Sequence, residues 1–273
     1  MNACPAVARP AELEPEDLDA AEVASADEVQ VEGEAPPPAG PEIREIETLQ
    51  GRRLRFSVSV DPVIDLERGA VAGHRIEPKI GYEDTRELLT PAARRELLPR
   101  DLLEVDVATL ERGLTRLQGA EGAAGRASLI VSLSFLTVSS TRARAGLIEA
   151  LGGARDLLAR SAIFEITDFD AGLPSGRLKE ACHLIKPFCR SVFAHDTIGS
   201  SLGRDARAIG LTGLVYQPPL GLPRAENEAA WLLTAGRSLD PKGGARVAAN
   251  LSTSQLLSIA AAAGFTHATV RAR

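Results

Sequence analysis

Four side chains of the kinds that bind metals or move protons stand at the ends of short apolar runs: Glu165 and Asp168 in FEITD, and His195 and Asp196 in VFAHD. Imidazole and carboxylate donors together suit transition metals. The set is therefore a candidate remodelled metal site, beside the plainer role of a hydrogen-bonded strand-end histidine. Other reactive residues carry less. Cys4, Cys182 and Cys189 are odd in number and lack metal-ligand spacing, so they read as free thiols rather than a disulfide framework or zinc site. His183, next to Cys182 on a helical stretch, reads as a surface or packing residue. The run Gly199-Ser200-Ser201-Leu202-Gly203 fits neither the dinucleotide nor the P-loop fingerprint.

Charge divides the 273 residues into two parts. Residues 1–50 hold 13 acids against two arginines, a net of −11, whereas residues 51–273 carry a net of +5. The first part is rich in Glu, Ala, Val and Pro, includes Pro36-Pro37-Pro38, and has too little apolar surface to offset chain entropy. It reads as a disordered acidic tail, with Leu13, Leu18 and Val23 spaced for a helix formed on binding. The body is the size of one barrel domain. Its basic residues are nearly all arginine, with four lysines in the chain. They alternate with acids, form no basic run, and are accompanied by only two tyrosines and one tryptophan, so nucleic-acid binding is not expected. No stretch has the roughly 18 apolar residues of a membrane span, and the N-terminus has neither a basic start nor an apolar run. A cytoplasmic location is the expectation.

The elements that must position the strand-end residues follow from periodicity. Leu54, Phe56, Val58 and Val60 alternate through a strand over 53–64, and Asp65–Gly69 turns into a second strand over 70–80. So short a link makes this pair antiparallel. Helices over 86–97 and 101–118 follow, then a strand over 128–135. Helices over 142–159, 175–187, 202–209, 225–237 and 253–263 alternate with strands over 161–167, 191–196, 212–216, 245–249 and 266–271. Strands joined by crossover helices run parallel, and eight strands in this length suggest a closed (β/α)8 barrel with functional residues at the strand C-termini. An open doubly wound sheet is the alternative, disfavoured by the missing glycine-rich loop after the first strand.

Read in order, DPVIDLERGAVAGHRIEPKI (61–80), IVSLSFL (130–136), FEITD (164–168), VFAHD (192–196), LVYQP (214–218) and VAANLST (247–253) resemble bacterial EAL domains, the cyclic-di-GMP phosphodiesterases, over about residues 51–270. The resemblance implies an α/β fold: a TIM-like barrel of EAL type with an antiparallel first strand, here a degenerate domain over 51–273 behind the acidic tail. It also implies a further loop and helix after the eighth strand. Arg273 ends the sequence before them, so one flank of the barrel is expected to need cover from the helices near 86–118, the tail or another protein.

The chemistry that the resemblance implies is two-metal hydrolysis, in which divalent ions acidify a water and stabilise the phosphodiester transition state. This sequence departs from it at most positions. The motif Glu-Ala-Leu reads Arg75-Ile76-Glu77, so a metal-ligating glutamate is replaced by a cation. Ser132 stands for an asparagine ligand, His195 for the first of two aspartates, Val215 for the water-orienting lysine, Ala249 for a glutamate and Thr269 for a glutamine. Lys79 stands for the phosphate-binding arginine and lacks its bidentate fork. Glu165 and Asp196 keep the family's acids. Each lost acid–base group costs about 10² to 10⁴ in rate, so the expectation is a pseudoenzyme with no catalytic residue, metal or cofactor. Arg75 is expected to pair with Glu165 and Asp196 in place of the ions, while His74 and Glu77 are outward or rim residues. Phe135, Phe164 and Phe193 read as core filling. A residual ligand site would comprise Arg75, Lys79, Ser132, Glu165, Asp168, His195 and Asp196. The leading function is signalling or scaffolding through a protein partner; the alternatives are a cyclic-di-GMP receptor without hydrolysis and an active phosphodiesterase.

Overall fold

The computed structural model describes residues 42–120, 128–219, 225–240 and 243–271. Two long strands, β2 (Arg53–Asp65) and β3 (Ala70–Tyr82), form an antiparallel hairpin over the turn at Gly69, whose φ of +66° suits glycine. From β3 onward every neighbour is parallel: β4 (Ser128–Ser134), β5 (Ala162–Thr167), β6 (Ser191–Asp196), β7 (Gly213–Tyr216), β8 (Ala245–Leu251) and β9 (His267–Val270). β9 then pairs antiparallel with β2 through Val63–Thr269, Ile64–Ala268 and Asp65–His267, and the eight strands close. This is the expected barrel with its reversed first strand. The open-sheet alternative ends with that closing pair.

A further strand, β1 (Ile43–Glu47), pairs antiparallel with β2 from Ile43–Ser57 to Glu47–Arg53. Residues assigned to the acidic tail by composition thus include an ordered strand. Its alternation of charge and Ile is too short to stand out from the acidic background, and Ile46 is buried against Leu54, Phe56 and Ile80. The earlier tail, with Leu13, Leu18 and Val23, lies outside the described residues.

Helices layer the outside. The sequence reading gives one helix over 86–97, but only α1 (Pro91–Arg95) forms. Arg86 takes a φ of +61°, and Gly81 bridges Leu88, so residues 83–90 turn back against β3 before the Thr90 hydroxyl caps Ala93. α2 (Pro99–Ala120) follows and buries Leu102, Val105 and Leu110. After β4 comes α3 (Phe135–Ser139), absent from the sequence reading, and then α4 (Thr141–Gly152) and α5 (Arg155–Ser161), which the reading had joined. Gly152-Gly153 separates them. α6 (Ser175–Ile185), α7 (Leu202–Ile209), α8 (Ala225–Gly236) and α9 (Leu256–Ala262) complete the layer. Among the described residues, no helix is long and apolar enough to cross a membrane.

The outward strand faces carry one large core that includes Phe135 and Phe164, and Phe193 fills the barrel interior with Val63, Ile130, Ile163, Val215, Val247 and Ala249. The outward face of β2 shows how the flank is covered. Leu54 and Phe56 lie under α2, while Val58, Val60, Pro62 and Ile64 are half-buried. Gly73 is required where β3 meets β4, since a Cβ there would lie 2.0 Å from the Ser128 carbonyl oxygen.

α2 is tied to the barrel by one buried acid. Both carboxylate oxygens of Asp106 accept from the main-chain N–H of Ser134 at 3.2 Å, where β4 passes into α3. Burial pushes the Asp106 carboxyl up to about 7, against the hydrogen bonds it receives. Since the folded value lies above the unfolded one, this acid stabilises the fold fully below about pH 4 and loses that contribution as pH rises through 7, on the order of 4 kcal/mol. Urea melts between pH 4 and 8 should show the fall, and Asp106→Asn, which keeps an acceptor for Ser134, should flatten it. A wild-type profile already flat over that range would contradict this assignment.

Candidate functional site

Strand alternation sends odd-numbered residues of β3 into the barrel and even-numbered ones, such as Ile76 and Ile80, outward to the helices. Arg75 therefore projects into the barrel and is fully buried. A guanidinium in that setting requires carboxylate partners on all its edges. Nε donates to Glu165 Oε2 at 2.7 Å and Nη2 to Glu165 Oε1 at 2.9 Å, a bidentate fork across the barrel from β3 to β5. Nη1 donates to Glu77 Oε2 at 2.7 Å. Burial opposes the charge on Arg75, but Glu165 and Glu77 outweigh it and raise the guanidinium pKa further. Burial would likewise raise the Glu77 carboxyl; Arg75, with help from Asn250, holds it instead at about 2.

The second carboxylate on Arg75 is thus Glu77, not the expected Asp196, and Glu77 is neither outward nor a bystander. It lies two residues beyond Arg75 on the same face of β3, a relation that strand period alone makes available. Asp196 faces away at the end of β6: it accepts from the Thr197 N–H at 2.8 Å and from the Ser200 hydroxyl, and it hydrogen-bonds Tyr216. Ser132 joins the Arg75 layer, its hydroxyl 3.4 Å from Glu165 Oε2. Asp61, opposite Arg75 on β2, is also fully buried and accepts from the Ser59 hydroxyl at 3.0 Å. His74 points outward, with Nε2 3.1 Å from Arg116 Nη2, and His183 is exposed.

Above this layer the strand C-termini surround a cavity of about 560 Å³. Lys79, Asp168, His195 and Asp196 line it with Glu77, whereas Arg75, Ser132 and Glu165 form the layer beneath. The seven sequence candidates are therefore split between a buried ion pair and a cavity wall. Burial keeps the His195 pKa below its usual value, so the ring is neutral near pH 7. Asp168, at φ +59° where β5 ends, accepts from Arg94 Nη2 at 2.9 Å, and Arg95 pairs with Asp170 at 2.9 Å.

Two cavity residues escaped the sequence reading. Asn250, at φ +59° on β8, donates Nδ2 to Glu77 Oε2 at 2.7 Å, and its N–H bonds the Thr269 hydroxyl at 2.9 Å. It adjoins Ala249, and a polar residue at a strand end was the available signal. Arg94 comes from α1, and nothing local in the sequence places that helix at the barrel mouth.

The divalent ions implied by the EAL resemblance do not fit this donor set. Both Glu165 oxygens are engaged by a cation, Arg75 stands where a ligand is needed, and Asp196 caps its own loop. Removing one member of so buried a set leaves an uncompensated charge. Arg75→Met should cost about 3 to 5 kcal/mol in urea unfolding, whereas Arg75→Met/Glu77→Leu/Glu165→Met should be near neutral. Because the folded Glu77 value lies below the unfolded one, its contribution is present above about pH 4.5 and is lost as pH falls toward 2. Glu77→Gln should flatten that acid limb. An Arg75→Met melt indistinguishable from wild type would contradict the assigned pairing.

No protein-family model and no curated protein matches the sequence. Solved structures do. The EAL domain of Xanthomonas citri FimX in complex with c-diGMP is 14% identical with a TM-score of 0.54, over 79% of this chain and 85% of that one. The PaMucR phosphodiesterase in its c-di-GMP complex is 16% identical with a TM-score of 0.57, over 79% and 89%. The FimX EAL domain from Pseudomonas aeruginosa bound to c-di-GMP is 20% identical with a TM-score of 0.51, over 79% and 88%. At these identities the shared property is the fold, and the closed eight-stranded barrel of this chain is of EAL type.

Proposed function

We propose that this protein is a noncatalytic EAL-type barrel that acts in cyclic-di-GMP-related signalling by binding a protein partner. The observation that carries the noncatalytic part is the bidentate Arg75–Glu165 pair. Hydrolysis in the EAL manner needs acids free to hold ions and a base near the attacking water. Here the retained glutamate is neutralised by a fixed guanidinium, and the positions of the water-orienting lysine and a further glutamate hold buried Val215 and Ala249. A guanidinium keeps its proton, so it offers no general base.

The second reading is a receptor that binds cyclic-di-GMP without hydrolysis. It is favoured by the mouth cavity and by the FimX domains, solved with that nucleotide. Phosphate recognition is where it weakens. Arg94 and Arg95 are committed to Asp168 and Asp170, which leaves the phosphates of a dinucleotide to the point charge of Lys79 and to Arg271, whose Nε donates to the Asn250 carbonyl.

The decisive experiment incubates the full chain with cyclic-di-GMP and Mg²⁺ or Mn²⁺ and follows linear product by chromatography, with Glu165→Ala as control. The expected result is no turnover above the control. Metal-dependent turnover abolished by Glu165→Ala would overturn the noncatalytic reading. Calorimetry with cyclic-di-GMP alone separates the two binding readings, and micromolar affinity would establish the receptor.

A further inference from the structure

α1 is the least supported element at the barrel mouth. None of its five residues is buried, and it makes no more than passing contact with any other described helix or strand. A helix this short is unstable by itself in water. The chain is fixed on either side of it. Leu89 and Leu97, each 5% exposed, lie in the cluster of Ile46, Leu54, Phe56, Ile80 and Leu102, where Ala93 packs in part. The Leu89 N–H also donates to the Ile80 carbonyl at 2.8 Å. Residues 90–96 are thus a strap between two apolar anchors.

The strap meets the neighbouring part of the rim through charge. Arg94 Nη2 donates to Asp168 Oδ2 at 2.9 Å, and Arg95 Nε lies 2.9 Å from Asp170 Oδ1. Both acids belong to the stretch between β5 and α6, which lines the cavity with Phe169 and Leu173 as Leu89 and Pro91 do on the strap side. The two pairs therefore close one sector of the rim, and they differ in strength. The side chains of Arg94 and Asp168 are 15% and 6% exposed, so their bond is shielded from water, whereas Asp170 is 74% exposed and its pair contributes little. Breaking both contacts costs far less than unfolding the barrel, and lids over ligand sites are drawn from segments of such low local stability.

We propose that residues 90–96 are a latched flap on the mouth cavity. The Arg94–Asp168 and Arg95–Asp170 pairs hold it against the stretch between β5 and α6, and their release lets α1 swing away about Leu89 and Leu97, widening the entry. Any occupant of the cavity meets this rim, so the inference stands apart from the choice between a protein partner and a nucleotide.

The test uses the full chain and hydrogen exchange read by mass spectrometry. Asp168→Asn/Asp170→Asn removes both acids, and Asn tolerates the φ of +59° at position 168. Amides over 90–97 should then exchange at least about tenfold faster than in the wild type, with β5 and α2 unchanged. Arg95→Glu should give a smaller rise, and Arg95→Glu/Asp170→Arg should reverse it, because opposite charges face each other again. Entry is read with a thiol on the cavity wall, in Cys4→Ser/His195→Cys, where Cys182 and Cys189 are buried. Reaction of that thiol with dithiobis-nitrobenzoate should also be at least about tenfold faster once Asp168→Asn/Asp170→Asn is added. Unchanged exchange over 90–97, or a rise shared by β5 and α2, would overturn the proposal. So would a faster-exchanging strap with no gain in thiol reaction, because α1 would then move without guarding the cavity.

Discussion

A guanidinium enclosed in a barrel interior is the constraint around which this molecule is organised. An isolated buried charge is prohibitively costly, so Arg75 obliges the surrounding strands to supply acids in the right places. β5 supplies Glu165 and β3 itself supplies Glu77, and each commitment propagates. Glu77 fixes the amide of Asn250, the main chain of Asn250 fixes Thr269, and Ser132 leans on Glu165. A polar network of this kind specifies one arrangement of the strands that contribute to it, because any slip in register leaves a charge without its partner.

The network also separates the barrel into zones with different physical roles. Low in the barrel, Val63, Ile130, Ile163, Phe193 and Val247 pack as an ordinary apolar core. The ion-paired layer lies above, and the cavity opens over it among the loops and strand ends. Rigid support beneath a variable mouth is the usual division of labour in such barrels. Here the support is electrostatically self-contained. What reaches the cavity from that layer is Glu77 with the amide of Asn250, beside Arg94 held by Asp168 and the side chains of Lys79 and His195.

Much of the architecture was legible because it rests on local signals. Alternation in Leu54, Phe56, Val58 and Val60, the short turn at Gly69 and the regular change of period along the chain located all eight barrel strands, the reversed one among them. The signals failed where a longer-range interaction decides. β1 is a strand because β2 offers an edge and a pocket for Ile46, and residues 86–90 stay non-helical because Gly81 and Leu88 pair across the turn. The site was legible to the same depth. Arg75 and Glu165 followed from the EAL resemblance, which sets a cation and an acid at matching strand positions. The choice of Glu77 over Asp196 required knowing which way the end of β6 turns, and Arg94 required the placement of a five-residue helix that only tertiary packing determines.

The seam between β2 and β9 has its own significance. Six of the eight joints of the ring rest on four or more residue pairs, whereas the two that flank β9 rest on three each: with β8 through Val247–His267, Ala248–Ala268 and Leu251–Val270, and with β2, in the antiparallel closure, through Val63–Thr269, Ile64–Ala268 and Asp65–His267. Above those pairs the same edge of β2 is taken up again by β1. Under tension the short joints on either side of β9 are where the cylinder would part, unrolling into a curved sheet while the Arg75–Glu165 cross-brace, carried by β3 and β5, stays intact. The barrel is thus built like a band with a buckle, and mechanical compliance is concentrated at the two joints of β9 rather than spread around the circumference.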